Sequence, residues 1–569
     1  MPHETPDIAS MVASLRCDNP AETLRPEWLK DSYQQPRRFW RALMRAGEAF
    51  FDTPGRSIPF KAYDFYHDIV VRNRNTLNPA FCWYDPALGW RRMSYPALGR
   101  AAKRRAAAWQ RLGVAPGAKL CIVLPLSPEF VVSLAAAFKI GLTLSILPPL
   151  GKDFLMRRLQ HLAPDHIQTD RLFRPLPAEW DGIVLDPETD EPSAAALPET
   201  SHAYPSGTVV GRFFDPSRPA AHMPEALTAD ALYLHPLRDG IISLGLQPGR
   251  SLAAPGFHFL ETQPALLVSA LLNGATFFHI DPAHLKDRPE LLNEVSIDCM
   301  GLYQSTKELF RRRPPALKKK WSLLFRGAVD TLDPDTWQPL VEALDAGSAL
   351  CMNLQWDAAG GGCCLFSKRT KGRFHRHVMP TAGIPWSLTD AAGGGAEIDT
   401  PVGVLTVDPP EPLTGETRRT PHLIMADRHE WLYLGSDVVG RNGRFYPVDE
   451  VLATVGRIPS CALCSISALP GLRHPGSHRF TLLIFSGPQP HVAAAVLMER
   501  IHTTLRQDLG REFLPDNVRV IPLFPRLNDD HSIDHDWCHT QFVTGSLGRK
   551  VNDALFQCIT GLRRLLAAV

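Results

Sequence analysis

Residues 111–149 show a pattern of apolar and polar positions that predicts a strand, a helix and a second strand. Two apolar runs, 120–124 and 142–147, have the length of buried strands. Between them, Ser127-Pro128-Glu129 is typical of a helix start, because serine caps, proline suits the first position and glutamate favours the positive helix end. Apolar residues then recur every three or four positions until Gly141, which favours a helix end. The pattern predicts a βαβ unit with parallel strands in a covered sheet.

A second set of α/β elements is predicted further along the chain. Residues 151–230 contain proline and acidic clusters and predict irregular surface loop. Beyond them we expect strands at 231–234, 252–255 and 277–280, with helices at 237–246 and 262–272. Near the C-terminus, strands at 463–467, 480–485 and 518–522 and a helix at 492–509 predict a compact α+β domain.

Length and composition limit the class of protein. A chain of 569 residues fits two or three domains. Charged residues make up 21% and leave a net charge of +2, so bulk charge does not favour a nucleic-acid partner. The N-terminus lacks the apolar region of a signal peptide, and the most apolar segment is interrupted by charges and prolines, so we expect no membrane span. Eleven scattered cysteines predict free thiols in a cytoplasmic protein.

Short motifs accompany these elements in a recognisable order. A strand at 80–84 and a hairpin to Trp90 lead into a basic helix near Tyr95; L-Q-P-G (246–249) and N-G-A-T (273–276) flank the second unit. In this order the motifs resemble the adenylate-forming superfamily, which includes acyl-CoA synthetases, fatty acyl-AMP ligases and the adenylation domains of peptide synthetases.

The resemblance covers roughly residues 75–530 and implies an α/β fold. We expect a large N-terminal domain of βα units with a small β-subdomain, followed by a small α+β C-terminal domain. The predicted boundaries are a helical lead-in over 1–75, the large domain over 76–437 and the small domain over 438–569.

The resemblance also implies positions for a nucleotide. Gly327 and Ala328 fit the turn beside the adenine, where a side chain would block a flat base. Asp437 fits the aspartate that binds the ribose hydroxyls. Asp357 is a candidate for a displaced magnesium ligand, since alanines 358 and 359 stand where the superfamily has a Thr-Glu pair.

The phosphate-binding loop of the superfamily is harder to place. It should precede the helix at 237–246, but the predicted strand at 231–234 leaves no room for it. Ser206-Gly207-Thr208 has some of the required chemistry, although it lies early in the chain. It is either a phosphate cradle or an ordinary loop.

The catalytic lysine of the superfamily follows a P-R-T-x-x-G-K motif. Residues 525–534 supply the frame without a lysine, and Lys550 is the only lysine after Lys371. Lys550 is therefore the one candidate in this region. His531, His535 and His539 lie here at four-residue spacing and would share a face of a helix. A metal site and a polar surface loop both explain them; our prediction is the surface loop, without a metal.

The superfamily also has a hinge segment, on which the small domain swings, between the motifs that 430–437 and 442–450 resemble; here that segment is missing. The altered phosphate loop, Thr-Glu pair, hinge and lysine all belong to one half-reaction. We therefore predict a degenerate protein that binds an acyl or aryl group, an acyl carrier protein or a partner enzyme in a lipid or natural-product pathway, without ATP or magnesium. The alternative is an active ATP- and magnesium-dependent carboxylate ligase that uses Asp437, Lys550, Ser206 and Thr208. A third hypothesis is metal-dependent activity at the three histidines.

Overall fold

The βαβ unit predicted from the apolar pattern is confirmed in the computed structural model of the chain. Strands Lys119–Val123 and Thr143–Leu147 pair in parallel and flank the helix Pro128–Ile140. Ser127 Oγ accepts a hydrogen bond from the backbone N–H of Phe130, with 3.2 Å between the two atoms. Gly141 ends the helix in the left-handed conformation at φ 95°, where glycine has no Cβ penalty. Local signals therefore fix both helix ends.

The structure describes most of the chain, with gaps. The described residues are 8–16, 27–170, 183–185, 200–214, 223–257, 262–317, 319–327, 334–357, 362–370, 373–374, 378–389, 402–408, 413, 417–427, 430–436, 440–441, 444–470, 478–487 and 494–548.

The helices account for the predicted helical segments and several others. In chain order the α-helices are α1 (Ile8–Arg16), α2 (Glu27–Gln34), α3 (Pro36–Glu48), α4 (Tyr95–Arg111), α5 (Pro128–Ile140), α6 (Lys152–Leu162), α7 (Ala229–Arg238), α8 (Gln263–Leu272), α9 (Pro282–Asp287), α10 (Gln304–Arg312), α11 (Pro334–Ala343), α12 (Val448–Gly456), α13 (Ala494–Asp508) and α14 (His535–Val543). Two π-helical segments, His67–Val71 and Asp239–Leu244, and two 3₁₀ turns, Pro289–Asn293 and Arg511–Phe513, complete the helical structure of the described residues.

The strands are mostly short. In chain order they are β1 (Ala62–Tyr63), β2 (Pro79–Asp85), β3 (Gly89–Ser94), β4 (Lys119–Val123), β5 (Thr143–Leu147), β6 (His166–Thr169), β7 (Ile183–Leu185), β8 (Tyr204–Pro205), β9 (Val209–Phe213), β10 (Glu225–Thr228), β11 (Ser251–Ala253), β12 (Thr276–His279), β13 (Cys299–Gly301), β14 (Leu323–Gly327), β15 (Leu350–Asp357), β16 (Gly362–Thr370), β17 (Arg373–Phe374), β18 (Met379–Pro380), β19 (Trp386–Thr389), β20 (Val402–Val407), β21 (Arg418–Asp427), β22 (Glu430–Ser436), β23 (Gly440–Arg441), β24 (Arg444–Phe445), β25 (Cys464–Pro470), β26 (His478–Phe485) and β27 (Asn517–Ile521).

The chain divides into two compact units. The first comprises Met1–Pro149, Arg158–Arg174 and Ala178–Val438, and the second comprises Leu150–Arg157, Pro175–Pro177 and Val439–Val569.

Two large sheets form the framework of the first unit. One has the strand order β10-β9-β5-β4-β6-β7, and the other has the order β17-β16-β15-β14-β13-β11-β12-β2-β3 with β18 beside β16. In the second sheet, β2, β12, β11, β13, β14 and β15 run in parallel. The carboxyl ends of these strands therefore lie at one edge, where β13 ends at Gly301 and β14 at Gly327. A four-stranded antiparallel sheet, β19-β20-β21-β22, supplies the predicted β-subdomain.

The helical lead-in belongs to the core of this unit. Phe39 and Trp40 on α3 have no exposed surface. The Trp40 indole N–H donates to the carbonyl oxygen of Gly383, with 3.1 Å between nitrogen and oxygen. A Cβ atom on Gly383 would lie 2.6 Å from the Phe39 ring. The absence of a side chain at Gly383 therefore lets α3 pack closely.

The sequence prediction for residues 151–234 was wrong in two places. Helix α6 and strands β6–β10 occupy much of the segment predicted as irregular. Strand β6 escaped notice because buried His166 and Gln168 interrupt its apolar pattern. Residues 231–234, predicted as a strand, lie within α7, since a short apolar run does not distinguish a strand from a buried helix.

The second unit confirms the predicted α+β pattern. Strands β25 and β26 are antiparallel, and β27 joins β26 in parallel. These strands and α13 correspond to the elements predicted at 463–467, 480–485, 518–522 and 492–509. Helix α14 packs against β25.

Candidate functional site

The Ser206-Gly207-Thr208 tripeptide forms a turn that surrounds a carboxylate of the protein itself. Gly207 N–H donates to Asp230 Oδ2 over 2.7 Å, and Ser206 Oγ lies 3.0 Å from both carboxylate oxygens. The Tyr63 hydroxyl donates to Asp230 Oδ1 over 2.7 Å. Asp230 has no exposed surface. The donors that a phosphate would need are thus bonded to an internal anion.

Sequence reasoning missed Asp230 because it took the start of α7 for a strand. Thr228 caps this helix by accepting a hydrogen bond from the Ala231 N–H. Asp230 therefore stands in the first helical turn, where a carboxylate suits the positive helix end. The sequence T-A-D, a capping residue followed by an acid, was the signal that could have identified it.

The corrected start of α7 also changes where a phosphate loop would stand. The helix follows an antiparallel hairpin of β9 and β10, so the expectation that no room precedes the helix was wrong. Residues 214–224 connect these strands, and 215–222 lie outside the described residues. The sequence of this connection, F-D-P-S-R-P-A-A-H-M-P, contains neither glycine nor lysine. It therefore lacks the residue types of the superfamily's Gly- and Lys-containing loop.

The sequence predicted that an adenine base would lie against Gly327. In the structure, the aromatic ring of Phe257 lies against this glycine. A Cβ built on Gly327 would lie 2.7 Å from the Phe257 ring, and one on Gly301 would lie 2.8 Å from the same ring. Phe257 follows β11, and Gly256 at φ 85° forms the turn between them. The Phe257 ring also packs beside Phe325, with 5.5 Å between ring centroids. The two glycines thus create space that Phe257 fills.

The remaining predicted nucleotide residues are largely outside the described structure. Asp357 is the last residue of β15, and its backbone pairs with Gly362 of β16. Ala328, Asp437 and Lys550 lie outside the described residues. Their roles stay predictions.

The lysine frame forms a tight turn in the second unit. The Asp534 N–H donates to Arg526 O over 3.0 Å, and the Asn528 N–H donates to Ser532 O over 2.8 Å. His531 has φ 65°, the left-handed conformation that glycine adopts most easily. In a P-R-T-x-x-G-K frame that begins at Pro525, Asp530 takes the glycine position and His531 the lysine position.

Ser532 is held within this turn. Its hydroxyl donates to Asp530 Oδ1 over 2.6 Å and accepts from Asn528 Nδ2 over 3.0 Å. The hydrogen bonds from the Ser532 hydroxyl and N–H lower the pKa of Asp530. Asp530, at the glycine position of the frame, is therefore held by hydrogen bonds within the turn, and His531 follows it in place of the flexible ammonium group of a lysine.

The three histidines do not share one helical face, so that part of the hypothesis was wrong. Helix α14 begins at His535, and His531 lies in the preceding turn. Among the described residues, no group of three or more histidine, cysteine or acidic side chains is placed to hold a metal ion. In the same part of the chain, no helix is long and apolar enough to cross a membrane.

The family comparison supports the predicted class of protein. A model of the family described as AMP-binding enzyme matches residues 72–201. No curated protein matches the chain significantly in sequence.

Solved structures show the fold over most of the chain. An artificially fused adenylation–PCP didomain from Klebsiella oxytoca aligns with a TM-score of 0.65 and 13% identity, covering 81% of this chain and 94% of that one. Acetoacetyl-CoA synthetase from Streptomyces lividans aligns with a TM-score of 0.60 and 18% identity, covering 93% of both chains. A double mutant of o-succinylbenzoate CoA synthetase from Bacillus subtilis aligns with a TM-score of 0.65 and 15% identity, covering 83% of this chain and 97% of that one.

These comparisons confirm the predicted resemblance to the adenylate-forming superfamily. The structure has the predicted α/β architecture, with a large domain and a small α+β domain, and the aligned structures share this fold.

Proposed function

We propose that this chain is a non-adenylating relative of acyl-CoA synthetases and adenylation domains. It would bind an acyl or aryl group, or a carrier protein or partner enzyme, in a lipid or natural-product pathway. ATP and magnesium have no role in this function. We also propose a cytoplasmic location, which the nine free cysteines among the described residues support.

The observation that carries the proposal is the position of Phe257 against Gly327. An adenine ring can approach a glycine closely because no Cβ blocks it. At Gly327 the Phe257 ring occupies this position, 2.7 Å from where a Cβ atom of residue 327 would lie. Phe257 is only 5% exposed and lies among apolar side chains. The described residues at this position therefore do not fit an adenine unless the ring moves.

Two further sequence differences from the superfamily support the same proposal. The sequence of the β9–β10 connection contains Arg218 but neither glycine nor lysine, so it lacks the residue types of the superfamily's phosphate loop. The turn at 526–534 has His531 where the superfamily has its lysine. Both differences fall in segments that contact the polyphosphate in the superfamily's half-reaction.

The proposed partner follows from the relatives in fold. One of them is an adenylation–PCP fusion and two are CoA synthetases. A chain that kept this scaffold could keep a surface for a carboxylate or its carrier without activating the carboxylate. An acyl or aryl group and an acyl carrier protein are therefore the first ligands to examine.

The test is calorimetric titration of the full chain with ATP and magnesium in the absence of any carboxylate. We expect no binding in the micromolar range, which would correspond to about 8 kcal/mol. A titration of Phe257→Ala serves as the comparison, because it removes the ring from Gly327. Micromolar binding by the unaltered chain would overturn the proposal.

Pyrophosphate release with a panel of acyl and aryl carboxylates provides the second measurement. The proposal expects none. The competing carboxylate ligase would release pyrophosphate in the presence of magnesium and would lose turnover in Lys550→Ala. Release that depends on Lys550 would establish that alternative.

A further inference from the structure

Helix α14 and strand β25 are joined by two serine–histidine hydrogen bonds in the second unit. Ser465 Oγ lies 2.9 Å from His535 Nδ1, and Ser467 Oγ lies 2.8 Å from His539 Nδ1. Both serines are completely buried. His535 is exposed and His539 is partly buried, so both imidazoles reach the surface.

The repeat follows from the spacing of the two elements. Residues two apart on a strand share a face and lie about 6.6 Å apart. Residues four apart on a helix share a face and are separated by about 6 Å of axial rise. The helix therefore places His535 and His539 opposite Ser465 and Ser467 in register. Both rings are held through Nδ1, so Nε2 is the remaining nitrogen of each ring.

We propose that His535 and His539 form a two-histidine site for a divalent transition metal ion such as Cu²⁺ or Zn²⁺. Imidazole nitrogen suits these ions. When each Nδ1–H donates to its serine, each Nε2 carries the lone pair that a metal needs. Metal-binding histidines commonly have the other ring nitrogen held in this way. The site is independent of the proposed acyl or partner function.

The neighbouring groups define the composition of this site. His531 lies in the turn before α14 and does not share the face of His535 and His539. Cys538 is on α14 but is completely buried, and burial raises its thiol pKa to about 11. Asp534 caps the helix by accepting from the Trp537 N–H. With Asp536 in the first turn, it opposes the positive charge of the helix end near His535.

Two imidazoles fill only part of the coordination shell of such an ion. Among the described residues there is no third histidine, cysteine or acidic side chain placed to complete a metal-binding group. Water or an external ligand therefore occupies the remaining positions. The proposed site stays open to a further ligand and has one protein ligand fewer than the three of a typical catalytic zinc site.

The test uses one equivalent of Cu²⁺ added to the full chain, followed by electron paramagnetic resonance. The chain has 21 histidines, so the comparison between variants identifies the site. We expect nitrogen hyperfine structure from two imidazoles in the unaltered chain and in His531→Ala, the matched control. We expect its loss in His535→Ala/His539→Ala. If the alanine pair fails to fold, His535→Gln/His539→Gln retains a polar side chain beside each serine.

A second measurement examines the serines. Ser467→Ala should keep the fold and lower the metal affinity about tenfold, since His539 loses the hydrogen bond that holds its ring. Absence of the two-nitrogen signal in the unaltered chain, or its persistence in a folded double variant, would overturn the proposal. A signal lost equally in His531→Ala would also contradict it.

Discussion

The ring centroids of Tyr63 and Tyr233 lie 5.0 Å apart. Each tyrosine hydroxyl donates a hydrogen bond to an aspartate that is close to the other tyrosine in the sequence. Tyr63 donates to Asp230 of helix α7 over 2.7 Å, and Tyr233 of α7 donates to Asp68 over 2.8 Å. All four residues are buried. Burial raises the pKa of both phenols, so both stay neutral donors. These two hydrogen bonds join the end of the lead-in segment to α7, the helix that follows the β9–β10 hairpin.

Loss of one of these two tyrosine hydroxyls should destabilise the protein. Tyr233→Phe leaves Asp68 without one donor and should lower the free energy of unfolding by about 2 kcal/mol, as expected for a buried hydrogen bond to a charged group. Tyr84→Phe is the control, because its hydroxyl accepts from Arg288 at an exposed position. Its effect should stay within about 0.5 kcal/mol. Urea unfolding of the two variants measures the difference; equal losses would contradict the expected role of the buried bond.

Asp68 should make the stability of the protein depend on acid pH. Burial alone would raise its pKa, but the hydrogen bond from His67 and the charge of Arg72 outweigh burial and lower it to about 2. An unfolded aspartate has a pKa of about 3.9. The folded state therefore binds the proton less well, and its stabilisation is complete above pH 5 and lost as pH falls from about 4 toward 2.

Urea unfolding at pH 6 and pH 2.5 provides the measurement for Asp68. The unaltered chain should lose about 2 kcal/mol more than Asp68→Asn over this interval, because only the former titrates at this position. Other carboxylates titrate in both proteins and cancel in the comparison. The same loss in both proteins would show that Asp68 is not the source.

Local sequence signals predicted the elements whose ends they control. Ser127 and Gly141 gave the limits of α5 because capping and left-handed backbone depend on one residue and its neighbours. Gln168 is completely buried in β6, and a polar residue at such a position conceals a parallel strand from pattern reasoning. Phe257 packs against Gly327 although the two residues are seventy positions apart in the sequence. A local sequence pattern cannot predict such a contact.

The turn at Ser206 provides a test between structural and nucleotide-binding roles. Ser206→Ala removes the hydroxyl that lies 3.0 Å from both oxygens of Asp230 and should lower the free energy of unfolding by about 1–2 kcal/mol. Thr208→Ala is the matched control on the same exposed turn and should have little effect on stability. Neither change should alter ATP titration. A weakened ATP signal in both variants would instead support the phosphate-cradle interpretation.

The described cysteines should resist alkylation in the folded protein. Nine of them are free and buried. Burial raises the pKa of Cys82 and Cys464 to about 12, so little reactive thiolate is present near neutral pH. Mass spectrometry after brief iodoacetamide treatment at pH 7.5 should find these nine unmodified, and all of them modified in urea. Rapid native modification of Cys82 or Cys464 would contradict their burial.

A methyl group at Gly327 should compete directly with Phe257. Gly327→Ala places a Cβ 2.7 Å from the Phe257 ring, which also lies close to Gly301 and Phe325. We expect a loss of about 1–3 kcal/mol in the free energy of unfolding, as for overpacked cores. Gly347→Ala is the control, because a Cβ there meets no atom within 4 Å.

Combining Gly327→Ala with Phe257→Leu tests the contact itself. The smaller side chain makes room for the added methyl, so the double variant should be more stable than the sum of the two single losses predicts. A coupling of about 1 kcal/mol in urea unfolding would place the ring of Phe257 against Gly327 in solution. Strict additivity would mean that the ring lies elsewhere, and the main support for a non-adenylating function would be removed.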